Sequence, residues 1–396
     1  MTFNIHNALK VALLAGVVGI FTASCNKTLP DAEPITQPPP AGSSINSLLS
    51  DPNFSILKAA VTRAGASLTK TLSDSSAVFT FFAPDNAAFN LSGIPSEAAL
   101  AFFRPGQLDT LLRYHLIGGI KLTAADISED IPNMYLQSSF VLAPPSASLP
   151  PGLRMPIFPS RRGSVAWVNN IPVTQPDIIA SNGVIHKVAA LVAPPSQVLL
   201  QRIASDPDLT YLFAAIQRAD SGDVQLTLES ALQNPAANLT VFAPSNAAFQ
   251  AVLTGQITLA LVQMGYPLLT AQATAGTLAS TPAVFQNPAL ASVLTPTVVK
   301  GIVVYHLLGS RAFSVNIPAT ATALPTLLNS AIPAHPGVTV QAVFGPAGVV
   351  SATVKGLGNA SASNIAINPT PAPGGTSDQH YINGTLHKID QVLLPQ

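Results

Sequence analysis

A chain of 396 residues, 48% hydrophobic and only 9% charged, is long enough for two or three cores and too apolar to be disordered throughout. Its 18 basic residues balance 18 acidic ones, so no net field recruits nucleic acid or an anionic membrane. A single cysteine excludes disulfides within the chain.

The first 25 residues read as a targeting segment. Lys10 precedes the apolar run VALLAGVVGIFTA (Val11–Ala23), followed by the lone Cys25. That run is shorter than the roughly 20 apolar residues a spanning helix needs, which points to a secretory signal. Cys25 after TAS resembles the lipobox of bacterial lipoproteins, where this cysteine is lipidated and becomes the new N-terminus. Thr22 stands where that motif usually has Leu, and the alternative is an ordinary signal peptide with an incidental cysteine. Residues 26–44 include three consecutive prolines and read as an extended tether.

Beyond the tether the chain repeats itself. SDPNFSILKAAVTRAG (Ser50–Gly65) recurs 155 positions later as SDPDLTYLFAAIQRAD (Ser205–Asp220). In both, Ser-Asp-Pro supplies a cap and an early proline, and apolar residues follow at helical spacing. FFAPDNAAF (Phe81–Phe89) recurs at an offset of 160 as VFAPSNAAF (Val241–Phe249). Each reads as a buried strand broken at Pro84 or Pro244, then a helix capped by Asp85 or Asn86 in one copy and by Ser245 or Asn246 in the other. YHLIG (Tyr114–Gly118) matches YHLLG (Tyr305–Gly309) at 191, and NGVIHKVAALVAP (Asn182–Pro194) matches NGTLHKIDQVLLP (Asn383–Pro395) at 201. In this last motif Asn-Gly predicts a tight hairpin turn leading into a strand.

Four motifs in one order make a tandem duplication. The growing offset places insertions in the second copy, one near 255–290 and one near 368–377, where loop length costs little.

These motifs together resemble the fasciclin (FAS1) domain, and two copies cover nearly everything from Ile45 to Gln396. The resemblance implies an α+β architecture of two tandem domains, residues 45–195 and 196–396. Each would be a wedge of two small β-sheets with helices packed along one side. It further implies an extracellular adhesion or surface-interaction role with no common catalytic site. In some members the Tyr-His region contacts receptors, which makes Tyr114, His115, Tyr305 and His306 candidate partner-binding residues.

The residues themselves add little chemistry. His115, His186, His306 and His387 recur in fixed context, but their spacing pairs no ligands and carboxylates nearby are few. Core histidines bonded to backbone are therefore favoured over partner contacts, and metal sites come last. No nucleophile elbow, zinc-protease motif or phosphate loop is present. Neither catalytic residue, metal nor cofactor is expected. The function these observations imply is a non-enzymatic lipoprotein, anchored through Cys25 to an outer membrane or cell surface. There it would meet an envelope or cell-surface protein. The alternative is binding of a polysaccharide or other polymer for nutrient capture, for which Trp167, the sole tryptophan, is the candidate stacking platform.

Overall fold

The structure is a computed structural model that describes residues 42–143, 152–223, 225, 227–345, 348–368 and 375–396. The expected signal segment, Cys25 and most of the tether lie outside the described residues, as do 369–374 within the second expected insertion. Everything described falls in one compact unit, Pro40–Gln396, and every core residue lies between Ile45 and Leu393.

The first copy runs α1 (Ile45–Leu48), α2 (Ser55–Ala64), α3 (Ala66–Ser73), β1 (Phe79–Pro84), α4 (Asn86–Leu91), α5 (Pro105–Tyr114) and β2 (Leu116–Gly118). Six strands follow: β3 (Leu136–Ala143), β4 (Leu153–Ile157), β5 (Pro159–Arg162), β6 (Val165–Val168), β7 (Ile171–Ala180) and β8 (Gly183–Val188). The second copy opens with α6 (Leu199–Ser205), α7 (Thr210–Ala219), α8 (Thr227–Gln233) and β9 (Leu239–Pro244). It continues through α9 (Asn246–Gln263), α10 (Leu268–Leu278), α11 (Pro296–Tyr305) and β10 (Leu307–Leu308). Its remaining strands are β11 (Thr322–Leu324), β12 (Val338–Gly345), β13 (Gly348–Lys355), β14 (Ser363–Ile365), β15 (Gln379–Tyr381) and β16 (Gly384–Ile389). The architecture is α+β.

The two copies share one sheet plan. In the first the strand order is β2-β1-β8-β7-β6-β5, with β3–β4 a separate pair; in the second it is β10-β9-β16-β14-β13-β12-β11, with β15 also on β16. At the centre of each, the second repeated motif pairs in parallel with the last. Phe79 to Pro84 align residue by residue with Gly183 to Val188, and Leu239 to Pro244 with Gly384 to Ile389. All six residues of β1 and of β9 are buried, because helices cover one face and further strands the other. That is why these segments are continuously apolar instead of alternating. Phe81 points into the helix-side core with Leu57, Phe89 and Leu112, whereas Phe82 joins Ile117, Met155 and Val188 on the sheet side.

The polar residues of the motifs act as clamps. Asp85 and Ser245 are the caps, accepting from the N–H groups of Ala88 at 3.0 Å and Ala248 at 3.2 Å. The neighbouring asparagines instead reach across to α2 and α7 and the turns that precede them. Asn86 accepts from the Ile56 N–H and donates to the Pro52 carbonyl, and Asn246 does the same with Tyr211 and Pro207. Asn182 accepts from the Ile45 N–H and donates to the Leu72 carbonyl; Asn383 treats Leu199 and Leu232 alike.

The Asn-Gly reading needs a correction. Hairpins do form, but their central residues are Ser181–Asn182 and Ile382–Asn383, and each glycine is the first residue of the ladder. Glycine is required because the backbones approach so closely. A Cβ on Gly183, whose φ is +152°, would overlap the Phe79 carbonyl, and one on Gly384 would overlap Leu199 and the Leu239 carbonyl. Gly183→Ala is accordingly expected to destabilise by about 2–4 kcal/mol, because either the parallel pair or the hairpin must shift. Urea unfolding checks this; an unchanged midpoint would refute it.

Candidate functional site

The candidate partner residues are not at the surface. Tyr114, His115 and Tyr305 are 0% exposed and His306 is 1% exposed. Each ends or follows an amphipathic helix, α5 or α11, whose apolar stripe carries it into the core. Tyr114 donates to the Pro156 carbonyl and accepts from Asn169 at 2.6 Å; Tyr305 donates to the Gly337 carbonyl and accepts from the Leu357 N–H at 3.0 Å. Burial raises both phenol pKa values. The expectation that these four side chains touch a partner is corrected: no partner reaches them without opening the core.

All four repeated histidines spend both ring nitrogens on backbone. The Nε2 atoms of His115 and His306 accept from the N–H groups of Val192 (2.9 Å) and Leu393 (2.8 Å). The proton must then sit on Nδ1, which donates to the carbonyls of Leu111 and Ile302, both at 2.8 Å. His186 and His387 use the opposite tautomer. Their Nδ1 atoms accept from Asp177 and Asp378 N–H, and Nε2 donates to the carbonyls of Leu122 and Ala312. Thr80 and Thr240 grip the same crossing segments. Thr80 donates to the Ile120 carbonyl and accepts from the Leu122 N–H; Thr240 does so with Ser310 and Ala312. These threonines escaped the sequence reading, although their identical place in FTFFAP and LTVFAP was a usable signal. Among the described residues no three of His, Cys, Asp and Glu converge as a metal site.

A seam between the copies holds the polar groups that break the symmetry. Arg311, which matches exposed Lys121 of the first copy, is 0% exposed. Its guanidinium donates to the carbonyls of Tyr381 and Ile382 and to Asn238, and lies 4.5 Å from the ring centre of Phe158 in the other copy. Burial lowers it to about 9. Asn133 bonds across the seam to Phe313 and Asn316, and Arg162 to the carbonyls of Val315 and Ile317. Trp167 packs here with Phe158, Phe313 and Val315 and is 7% exposed. It therefore offers no stacking face to a sugar, which corrects its reading as a glycan platform.

One recess open at the surface is apolar and belongs to the second copy. A cavity of about 450 Å³ lies between α9, α11 and the C-terminal segment, lined by Val252, Leu253, Val298, Ile302, Ile332 and Leu394 among others. Residues 246–278, within and before the first expected insertion, form the α9–α10 hairpin where the first copy has only the six-residue α4.

Residues 52–194 match the Fasciclin domain model. The chain is 32% identical over 158 residues to transforming growth factor-beta-induced protein ig-h3 of Sus scrofa, covering 40% of this chain and 20% of that protein. It is 34% identical over 145 residues to protein sll1483 of Synechocystis sp., covering 36% of this chain and 68% of that protein. A solved FAS1 domain pair from the insect cell adhesion molecule Fasciclin I aligns over 88% of this chain and 95% of its own, at 15% identity and a TM-score of 0.32. The chain belongs to the fasciclin family. Fasciclin domains serve cell adhesion and protein interaction, and no enzyme family is indicated. The match spans only about a fifth of the length of the ig-h3 relatives.

The buried histidines carry a pH dependence. Desolvation lowers His115 and His306 to about 4 from an ordinary value of 6.5, and lowers His186 in the same direction. The unfolded chain therefore binds protons that the folded chain refuses. Stability is complete above about pH 6.5 and falls as pH drops toward 4, by on the order of 3 kcal/mol for each of the first two. Urea midpoints measured from pH 7 to 4 should show this slope. The His115→Gln, His306→Gln double variant should be less stable at pH 7 and show a flatter slope; an equally steep slope would refute the assignment.

Proposed function

We propose that this protein is a non-enzymatic, lipid-anchored cell-envelope protein that mediates adhesion through contact with a cell-surface or envelope protein. Residues 1–25 direct export, Cys25 carries the lipid, and residues 26–44 hold two fasciclin domains, 45–195 and 196–396, off the membrane. The observation that carries the reading is the open apolar cavity of the second copy, beside motifs whose titratable groups are consumed by internal backbone bonds. Such a recess accepts aliphatic or aromatic side chains of a protein partner, and little in it would bind or transform a polar substrate. Trp167, the feature that favoured glycan binding, is occupied in the seam.

Val298 lines the cavity and is 49% exposed, so it can be changed without opening a core. Cells displaying the full chain should adhere more strongly than cells lacking it, and Val298→Asp should lower adhesion several-fold with an unchanged unfolding midpoint. Adhesion that survives Val298→Asp but is competed by soluble polysaccharide would replace this reading with the glycan one. Separately, Cys25→Ser should abolish incorporation of labelled palmitate; retained labelling would overturn the anchor.

A further inference from the structure

Between Glu229 and Lys300 the chain passes seventy residues without Asp, Glu, Lys, Arg or His. At the chain's average of 9% charged, about six would fall there. Inside this stretch α9 and α10 form a helical hairpin where the first copy has only the short α4. Both helices are apolar around their circumference and lack a polar face. The two helices pack together, and the small residues Ala271 and Ala275 of α10 are buried, as is Ala279 just beyond it.

The far end of the hairpin is uncovered. All nine residues from Val262 to Thr270, VQMGYPLLT, are exposed, with Met264 at 64%, Leu268 at 57% and Leu269 at 80%. Only Gln263 and Thr270 among them have hydrophilic side chains, and Tyr266 combines an apolar ring with a hydroxyl. The end of α9 is closed internally: Gly265, at φ +93°, donates to the Val262 carbonyl and Tyr266 to that of Leu261. The start of α10 is open. Pro267 makes no side-chain cap, and the N–H groups of Leu268, Leu269 and Thr270 have no acceptor among the described residues.

We propose that this tip is a membrane-contact element that inserts shallowly into the uncharged interfacial layer of a phospholipid bilayer. A protein interface is ordinarily ringed by polar and charged groups, and the stretch that carries this exposed tip supplies no charged group at all. For a bilayer the same composition is favourable: no charge must be desolvated, and Met264, Leu268 and Leu269 enter the acyl boundary. Tyr266 suits the headgroup level, and the three open N–H groups meet ester and phosphate oxygens there. Those N–H groups also limit the depth, because hydrocarbon would leave them unsatisfied. No helix among the described residues is long and apolar enough to cross a membrane, so the contact is interfacial. It does not depend on a lipid at Cys25 or on the cavity occupant, and either proposal can fail alone.

The test uses residues 42–396, which contain every core residue of the compact unit and lack the apolar run and Cys25. Met264→Cys then provides the single thiol for an environment-sensitive fluorophore. With dioleoylphosphatidylcholine vesicles its emission should shift to the blue. Nitroxide lipids labelled near the glycerol should quench it more than those labelled at mid-bilayer, and high salt should leave partition unchanged. Adding Leu268→Asp and Leu269→Asp, both at exposed positions, should reduce partition about tenfold or more. An unshifted emission in vesicle excess, or equal partition by the aspartate variant, would overturn the proposal. A blue shift that grows with protein concentration without lipid, with a dimer in sedimentation, would also overturn it by assigning the tip to a second copy of the chain.

Discussion

The parallel pairing of the second repeated motif with the last is the constraint on which each copy depends. Parallel neighbours cannot be joined by a hairpin, so about a hundred residues must intervene between β1 and β8, and still more between β9 and β16. Closing so long an excursion is entropically costly and slow, and the sequence concentrates its unusual residues where closure happens. Gly183 and Gly384 let the returning strand lie against the outgoing carbonyl. Asn182 and Asn383 tie the same corner to the helices. Thr80 with His186, and Thr240 with His387, then grip the segment that follows β2 or β10. The repeated residues make one joint, built twice.

The two copies then diverge in what surrounds that joint. In the first, the position between the gripped residues Ile120 and Leu122 carries the exposed Lys121, whereas in the second Arg311, between Ser310 and Ala312, is driven inward against Phe158. A buried guanidinium without a carboxylate partner is tolerated because carbonyls of Tyr381 and Ile382 and the Asn238 side chain solvate it, and an aromatic face supplies the rest. Arginine suits that place better than lysine, since its planar fork can address several acceptors at once. Together with Asn133, Arg162 and Trp167 it makes the seam a packed, hydrogen-bonded surface.

Charge distribution sharpens the functional picture. The chain is neutral overall, but its charges avoid the stretch that builds α9, α10 and the lip of the apolar cavity. The repeated tyrosines and histidines face inward, where burial holds His115 and His306 neutral at physiological pH. What a partner or a bilayer can meet along α9 and α10 is hydrocarbon, amide and hydroxyl. Contact there would gain its free energy from apolar burial and would respond weakly to salt.

The sequence by itself determined the duplication and the buried strands, because motif order and continuous apolar runs are local properties of the chain, and its resemblance to the fasciclin domain implied the α+β class. It also favoured the reading of the histidines as core groups, since scattered imidazoles without carboxylates rarely make a site. It left open which of two adjacent polar residues caps a helix: Asp85 and Ser245 do so, because the neighbouring Asn86 and Asn246 are claimed by distant backbone. Burial of Tyr114 and Tyr305, the loss of Trp167 to the seam and the inward turn of Arg311 were decided only by tertiary structure. Each depends on residues far apart in the chain meeting at one place, and no local pattern records which neighbours a side chain will have when the sheet closes.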